Sequence, residues 1–142
     1  MIILDTNVLS ALIKEAPETG VMQWLDEEPR ISIWTSAISL FEIRHGIDIM
    51  PEGRRKVALS GSLDRLVSDL LENRIAPFDS QAASHAANYS AKRKSLGRPV
   101  EFRDIMIAGI ALASGARLAT RNIRDFELSD IVLVNPWGVP PM

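Results

Sequence analysis

Met1-Ile2-Ile3-Leu4-Asp5-Thr6-Asn7 opens the chain, and the reading of this stretch decides the fold. Three consecutive branched aliphatic residues, Ile2 to Leu4, form a short unbroken apolar run of the kind that a strand buried on both faces of a parallel sheet requires. The run stops on Asp-Thr-Asn. In open α/β sheets ligands sit beyond the carboxyl ends of the strands, so Asp5 is expected at a sheet edge, with Thr6 and Asn7 supplying a hydroxyl and an amide that can orient it. The plainer reading is a helix cap, since Asp is a preferred N-cap residue and a helical pattern follows over Val8 to Ile13.

Outward from this stretch, apolar runs alternate with helical patterns. Strands are expected at Ile2–Leu4, Ile31–Trp34, Arg74–Phe78, Arg117–Ala119 and Ile131–Val134. Helices are expected at Val8–Ile13, Gly20–Asp26, Ser39–Ile49, Gly53–Asn73, Ser80–Leu96 and Asp104–Ser114. Alternation of this sort predicts an α/β fold around a parallel sheet of about five strands. Pro51-Glu52-Gly53 and Gly97-Arg98-Pro99 read as turns between helices rather than linkers, so residues 1–142 are taken as a single domain. A chain of 142 residues is long enough to bury roughly 70% of its unfolded surface without covalent staples.

Composition narrows the chemistry. There is no cysteine, which excludes disulfides and thiolate zinc sites. His45 and His85 are far apart and form no His-x-x-x-His pair, so a bound metal would have to rest on oxygen ligands, which suit magnesium or manganese. Sixteen Lys plus Arg stand against eighteen Asp plus Glu, and no global basic field of the kind simple nucleic-acid binders show is present. Divalent cations held by some of the acids would reverse the sign locally. The first residues read as a strand rather than a basic leader, and the longest apolar stretch, Ile105 to Ala113, is far shorter than the ~20 residues of a membrane span. A soluble cytoplasmic protein with no membrane partner is the expectation.

Further acids and an amide recur near element boundaries. Glu42 lies in Ser39-Leu40-Phe41-Glu42, which fits a capping box in which Glu42 would bond back to the cap residue. Asp104 opens a helix that is otherwise apolar as far as Ala113. There it faces the positive end of the helix dipole, which favours its ionised form, though it would serve equally as a cap. Thr120-Arg121-Asn122 follows the fourth strand and leads to Asp125-Phe126; Asn122 can ligate a cation or place a water, and Asp125 can supply the charge Asn122 lacks. Together Asp5, Glu42, Asp104 and Asn122 or Asp125 look like a divalent-metal site.

These residues carry a resemblance. Ile3-Leu4-Asp5-Thr6-Asn7-Val8, then Ser36-x-x-Ser39-x-x-Glu42-Ile43-x-x-Gly46, then Gly97-Arg98-Pro99 leading to Asp104-x-x-Ile107-Ala108, then Leu118-Ala119-Thr120-Arg121-Asn122-x-x-Asp125-Phe126 resemble the PIN-domain ribonucleases. Within that family they are most similar to the VapC-type toxins of toxin-antitoxin systems and their FitB-like branch. The resemblance spans essentially the whole chain. It implies a three-layer α/β/α sandwich, a metal site built on Asp5, Glu42 and Asp104 with a fourth position at Asn122 or Asp125, and magnesium, with manganese as a substitute. Many members carry Asp where this chain has Asn122, which bears on a second metal rather than on the reaction class. The resemblance also implies an RNA substrate, a homodimer, a cognate antitoxin that blocks the site, and DNA contact only through that antitoxin.

In this reading Asp5 and Asp104 are the primary ligands, Glu42 and Asn122 or Asp125 complete the shell or orient the attacking water, and Thr6, Asn7 and Thr120 position their neighbours. RNA phosphates would fall to Arg121, Arg44 and Arg98, with Lys92, Arg93, Lys94 and Arg103 nearby; for Lys92 to Lys94 a solvated helix end is the competing reading. Tyr89 could stack on a base but, beside Ala82 and Ala86 on one helix, is expected to pack. Three other readings compete. An Asp-based phosphatase would want a second Asp where Asn7 stands, a phosphoacceptor domain would want a lysine where the chain has Asn135-Pro136-Trp137, and a PIN-fold binding module with weakened catalysis has Asn122 as its support. Glu42→Gln separates site from cap: it retains a capping-box side chain but removes the charge. Lost RNA cleavage at an unchanged thermal midpoint assigns Glu42 to the site, and lost stability with retained cleavage assigns it to the cap.

Overall fold

The computed structural model describes residues 1–138. Five strands, β1 (Ile2–Leu4), β2 (Ile33–Ser36), β3 (Ile75–Ala76), β4 (Arg117–Ala119) and β5 (Leu133–Val134), form one sheet in the order β3-β2-β1-β4-β5, and every pairing is parallel. The six helices are α1 (Thr6–Ile13), α2 (Thr19–Glu27), α3 (Ala37–Asp48), α4 (Arg54–Arg65), α5 (Ser80–Ser95) and α6 (Phe102–Ser114).

Alternation along each strand divides the core in two. Ile2, Leu4, Ile33 and Ala119 pack with Val8, Leu9, Val21, Ile43 and Leu63 from α1 to α4. Ile3 and Leu118 face the other way, onto Ala82, Ala86, Ile107 and Ile110 of α5 and α6. Ile2, Ile3 and Leu4 are each 0% exposed; an unbroken apolar run is what a strand covered on both faces needs. The result is the expected three-layer α/β/α sandwich. The chain leaves β1 toward β2 and β3 on one side and returns to β4 and β5 on the other. The crevice between the carboxyl ends of β1 and β4 is therefore the switch point at which such sheets bind ligands.

Several element ends differ from expectation. β2 begins at Ile33, not Ile31, because Arg30–Ser32 close a 3-10 turn in which the Ser32 hydroxyl donates to Pro29 O at 2.6 Å. The shift carries β2 to Ser36 and puts Thr35 opposite Leu4, whose carbonyl accepts from the Thr35 hydroxyl at 2.7 Å. The expected helix over Gly53–Asn73 ends as α4 at Arg65 and continues as a π turn over Leu66–Leu70. Helix α3 starts two residues before Ser39: Ser36 is the cap, and its Oγ accepts from Ser39 N at 3.0 Å. The capping box read at Ser39 and Glu42 is thus not formed, and the buried Ser39 hydroxyl has no hydrogen-bond partner among the described residues. Asp104 likewise is not a cap but the third residue of α6, whose first turn also carries Arg103.

Helices α5 and α6 lie in close contact at Gly109. A Cβ there would stand 2.3 Å from Ala82 O and 2.7 Å from Ala86 Cβ, both on α5 and neither able to swing aside. At the far end of α6, Gly115 closes the helix at φ 61°, the left-handed conformation that glycine adopts without penalty. Gly109→Ala should therefore force the two helices apart and destabilise the protein by ~1–3 kcal/mol, read as a lower urea midpoint. Gly61→Ala in α4, where a Cβ meets only the Arg65 side chain at 3.4 Å, should stabilise the protein by about 0.5–1 kcal/mol, read as a higher urea midpoint.

Candidate metal centre

Asp5 ends β1 at the switch point. Its backbone N–H donates to Ala119 O at 2.9 Å, extending the β1–β4 pairing by one residue and bringing the two strand ends together. The carboxylate is 4% exposed. One oxygen accepts from Thr6 N at 2.8 Å, so Asp5 does cap α1, and the other accepts from the Thr120 hydroxyl at 2.7 Å. Cap and site residue are one side chain here. Burial and the charges of Glu42 and Asp125 raise its pKa, while the bonds from Thr120 and Thr6 pull it down.

The neighbouring polar residues organise the same crevice. Thr6 Oγ1 donates to Glu42 Oε1 at 2.9 Å, which ties α1 to α3 and turns Glu42 toward Asp5. Thr120 Oγ1 also accepts from Asn122 N at 2.9 Å. Asn7 Oδ1 accepts from Arg121 N at 3.2 Å, so the segment after β4 is held against the start of α1. Asn122 Nδ2 in turn donates to Asp125 Oδ2 at 2.8 Å. Of the two, Asp125 brings the carboxylate to the crevice, and the Asn122 amide holds its orientation.

Asp104 closes the group from α6. Its carboxyl is pushed up to about 7, first by burial, then by its proximity to the Asp125 carboxylate and by the charges of Asp5 and Glu42. The structure thus brings Asp5, Glu42, Asp104 and Asp125 around one crevice, close enough for their charges to act on one another. Among the described residues no three Asp, Glu or His side chains close into a ready-made metal cage. The donors are all oxygens, and the raised pKa of Asp104 leaves it readier than a free carboxylate to carry a proton, which lowers the excess negative charge. Such a set fits a magnesium-like cation, which keeps several of its waters and takes one or two carboxylates rather than a full protein shell. Asp5 and Asp104 would hold it, with Glu42 and Asp125 at its flanks.

The basic residues are less uniform than their spacing suggests. Arg121 lies over the Trp137 ring, 3.8 Å from its centroid, and 3.6 Å from Glu18, which also accepts from Trp137 Nε1. Arg44 pairs with Asp64 at 2.9 Å and Arg98 with Glu127 at 3.4 Å. Arg103 bridges Glu101 and Glu42. These exposed pairs contribute little to stability, so their arginines are exchangeable toward another anion. Arg93 is a correction: it is 4% exposed and donates to Arg98 O and Arg124 O, so it belongs neither to a solvated helix end nor to an RNA-facing surface. Tyr89 packs as expected, and its hydroxyl donates to Asp125 O at 2.7 Å. The Trp137–Glu18 contact spans 119 residues, and nothing local in the sequence signals it.

The raised pKa of Asp104 has a definite sign in stability. Between the ordinary 3.8 and about 7 the folded chain binds more protons than the unfolded one, so this contribution is fully present below the lower value and lost as pH rises through the upper. In EDTA, Asp104→Asn should remove the loss. Its thermal midpoint should match the parent near pH ~4 and exceed it increasingly as pH rises to ~8, by differential scanning calorimetry; a pH-independent gap contradicts this.

Known proteins agree with the fold. The PIN domain family matches residues 2–130. The chain is 36% identical over 137 residues to the VapC ribonuclease Y4jK of Sinorhizobium fredii, covering 96% of this chain and 98% of that protein. It is 33% identical over 137 residues to Toxin FitB of Neisseria gonorrhoeae, covering 96% and 99% of the two. Among solved structures, FitAB bound to the IR36 DNA fragment superimposes with a TM-score of 0.88 at 32% identity, covering 98% of this chain and 97% of that one. The chain belongs to the PIN-domain family, in the branch of the VapC and FitB toxins.

Proposed function

We propose that this chain is the ribonuclease toxin of a toxin-antitoxin pair, a magnesium-dependent endonuclease that hydrolyses RNA phosphodiester bonds. The observation that carries the reading is the convergence of Asp5, Glu42, Asp104 and Asp125 on the β1–β4 switch point. Like charges gathered in a half-buried crevice oppose folding unless a cation or protons offset them, so such a group is expected where a cation is used. Relatives named VapC ribonuclease and Toxin FitB support the class.

Bound magnesium would supply Lewis-acid chemistry, lowering the pKa of a water and offsetting charge on the scissile phosphate. The side chains prepare for that. Thr120 and the Thr6 N–H favour the ionised form of Asp5 and fix both its oxygens. Thr6 aims Glu42 and Asn122 aims Asp125, each through one hydrogen bond, so that both are positioned to accept a proton or orient water. Asp104, whose pKa is raised by burial and its acidic neighbours, would bind the cation in its ionised form. Arg121, Arg44 and Arg98, already paired with exposed acids, would exchange those partners for RNA phosphates, with binding weakening as salt rises.

The similarity to FitAB, a complex bound to DNA, supports a cognate antitoxin partner, with DNA reached through it. A homodimer rests on the resemblance alone. No helix among the described residues is long and apolar enough to cross a membrane.

The test is cleavage of a defined RNA by purified protein with magnesium, with EDTA, and with Asp5→Asn. Asp5→Asn keeps the side chain's shape and should lower kcat/KM by ~10³-fold, about 4 kcal/mol of transition-state stabilisation. Attack by water leaves a 5'-phosphate and a 3'-hydroxyl. EDTA-resistant cleavage, or a 2',3'-cyclic phosphate product, contradicts the mechanism.

A further inference from the structure

Helix α5 carries no acid of the crevice, yet its last turns are bound to the two segments that do. Tyr89 Oη donates to Asp125 O at 2.7 Å, and Lys92 Nζ donates to Leu128 O at 2.8 Å. Arg93 donates from Nε to Arg98 O at 2.6 Å and from Nη1 to Arg124 O at 3.4 Å. Its guanidinium carbon lies 6.0 Å from the centre of the Tyr89 ring. Tyr89 and Arg93 are 3% and 4% exposed.

The pattern has a specific geometric consequence. Arg98 belongs to the turn that leads into α6 and Asp104, while Arg124 and Asp125 belong to the 3-10 turn after β4. One buried guanidinium therefore spans both segments, and the acids they deliver, Asp104 and Asp125, lie close enough for their charges to act on one another. A short 3-10 turn has weak internal bonding and does not by itself fix a carboxylate against a helix. Burying an arginine demands that its donors be satisfied. Here they are met by main-chain carbonyls of the two acid-bearing segments, so the charge is solvated only while those segments keep their spacing.

We infer that Tyr89 and Arg93 are positioning residues for the metal centre, a brace on α5 that sets Asp125 against Asp104. This rests on the proposed metal-dependent nuclease reading. The brace acts through backbone carbonyls, one bond removed from the ligating side chains. Disturbing such outer contacts weakens metal binding by on the order of 10-fold, with little effect on the fold when the substituted side chain keeps its volume.

Tyr89→Phe removes the hydroxyl and leaves the packed ring. Its manganese affinity is measured by isothermal titration calorimetry on the full chain without RNA, beside the parent, Asp125→Asn and the double variant, with thermal midpoints recorded in EDTA. The inference requires that Tyr89→Phe weaken manganese binding by on the order of 10-fold at a nearly unchanged midpoint, and that it add nothing in the Asp125→Asn background, since the two act through one group. RNA cleavage by Tyr89→Phe should recover at saturating manganese. Unchanged affinity overturns the brace, as does an equal loss in the Asp125→Asn background. If Tyr89→Phe lowers the midpoint substantially, Arg93→Lys, which keeps the charge but cannot span both carbonyls, is put through the same cycle with the same outcomes required. A parent chain that binds no manganese removes the nuclease reading and the brace together, whereas a parent that binds and cuts beside an unaffected Tyr89→Phe removes the brace alone.

Discussion

A carboxylate buried at the end of a central strand is the constraint on which this molecule turns. Asp5 is 4% exposed, and desolvation disfavours its charged form. Two donors, Thr6 N and the Thr120 hydroxyl, oppose that shift, and the second exists only because β1 and β4 are adjacent in the sheet. Sheet order, local capping and site chemistry thus meet in one side chain. Strand β4 pairs with β1 along Ile2 to Leu4, and the register ends with Thr120 placed to reach Asp5.

The rest of the crevice is built outward from that bond. Thr6 passes the arrangement to Glu42 and thus to α3, and Asn122 passes it to Asp125. Asp104 arrives on α6, whose buried face is fixed against α5 by the close approach at Gly109. Each acid therefore rests on a different element, and the two-sided core holds those elements together. That division explains how a group of mutually repelling carboxylates persists. The core's apolar burial opposes the repulsion, and the raised pKa of Asp104, which favours its neutral form, relieves part of it.

Much of this was legible in the chain. Ile2 to Asn7 announced a buried strand ending in a carboxylate because burial on both faces forbids polar residues until the strand leaves the sheet. Asp104 stood out as an acid before an unbroken apolar helix. Glu42 was harder, since Ser39 three residues before it imitates a capping box; Ser36, three residues earlier again, offers the same chemistry and wins because β2 runs on to it. The division of labour between Asn122 and Asp125 depends on a 3-10 turn over Ile123–Asp125 that has no distinctive pattern. Arg93 was hidden within Lys92-Arg93-Lys94, a run that reads as solvated, because nothing in composition reveals which of three adjacent cations turns inward. Contacts such as Trp137 with Glu18 and Arg121 join distant parts of the chain and become visible only once the fold is assembled.

The account stands on one statement: acids from separate elements form a single cation-binding crevice at the β1–β4 edge. The most direct measurement is a crystal structure of the protein soaked in manganese, with anomalous scattering used to place the ions. The account requires a manganese peak within ligating distance of Asp5 and Asp104, flanked by Glu42 and Asp125. Manganese bound only elsewhere on the protein, with those four side chains untouched, contradicts it.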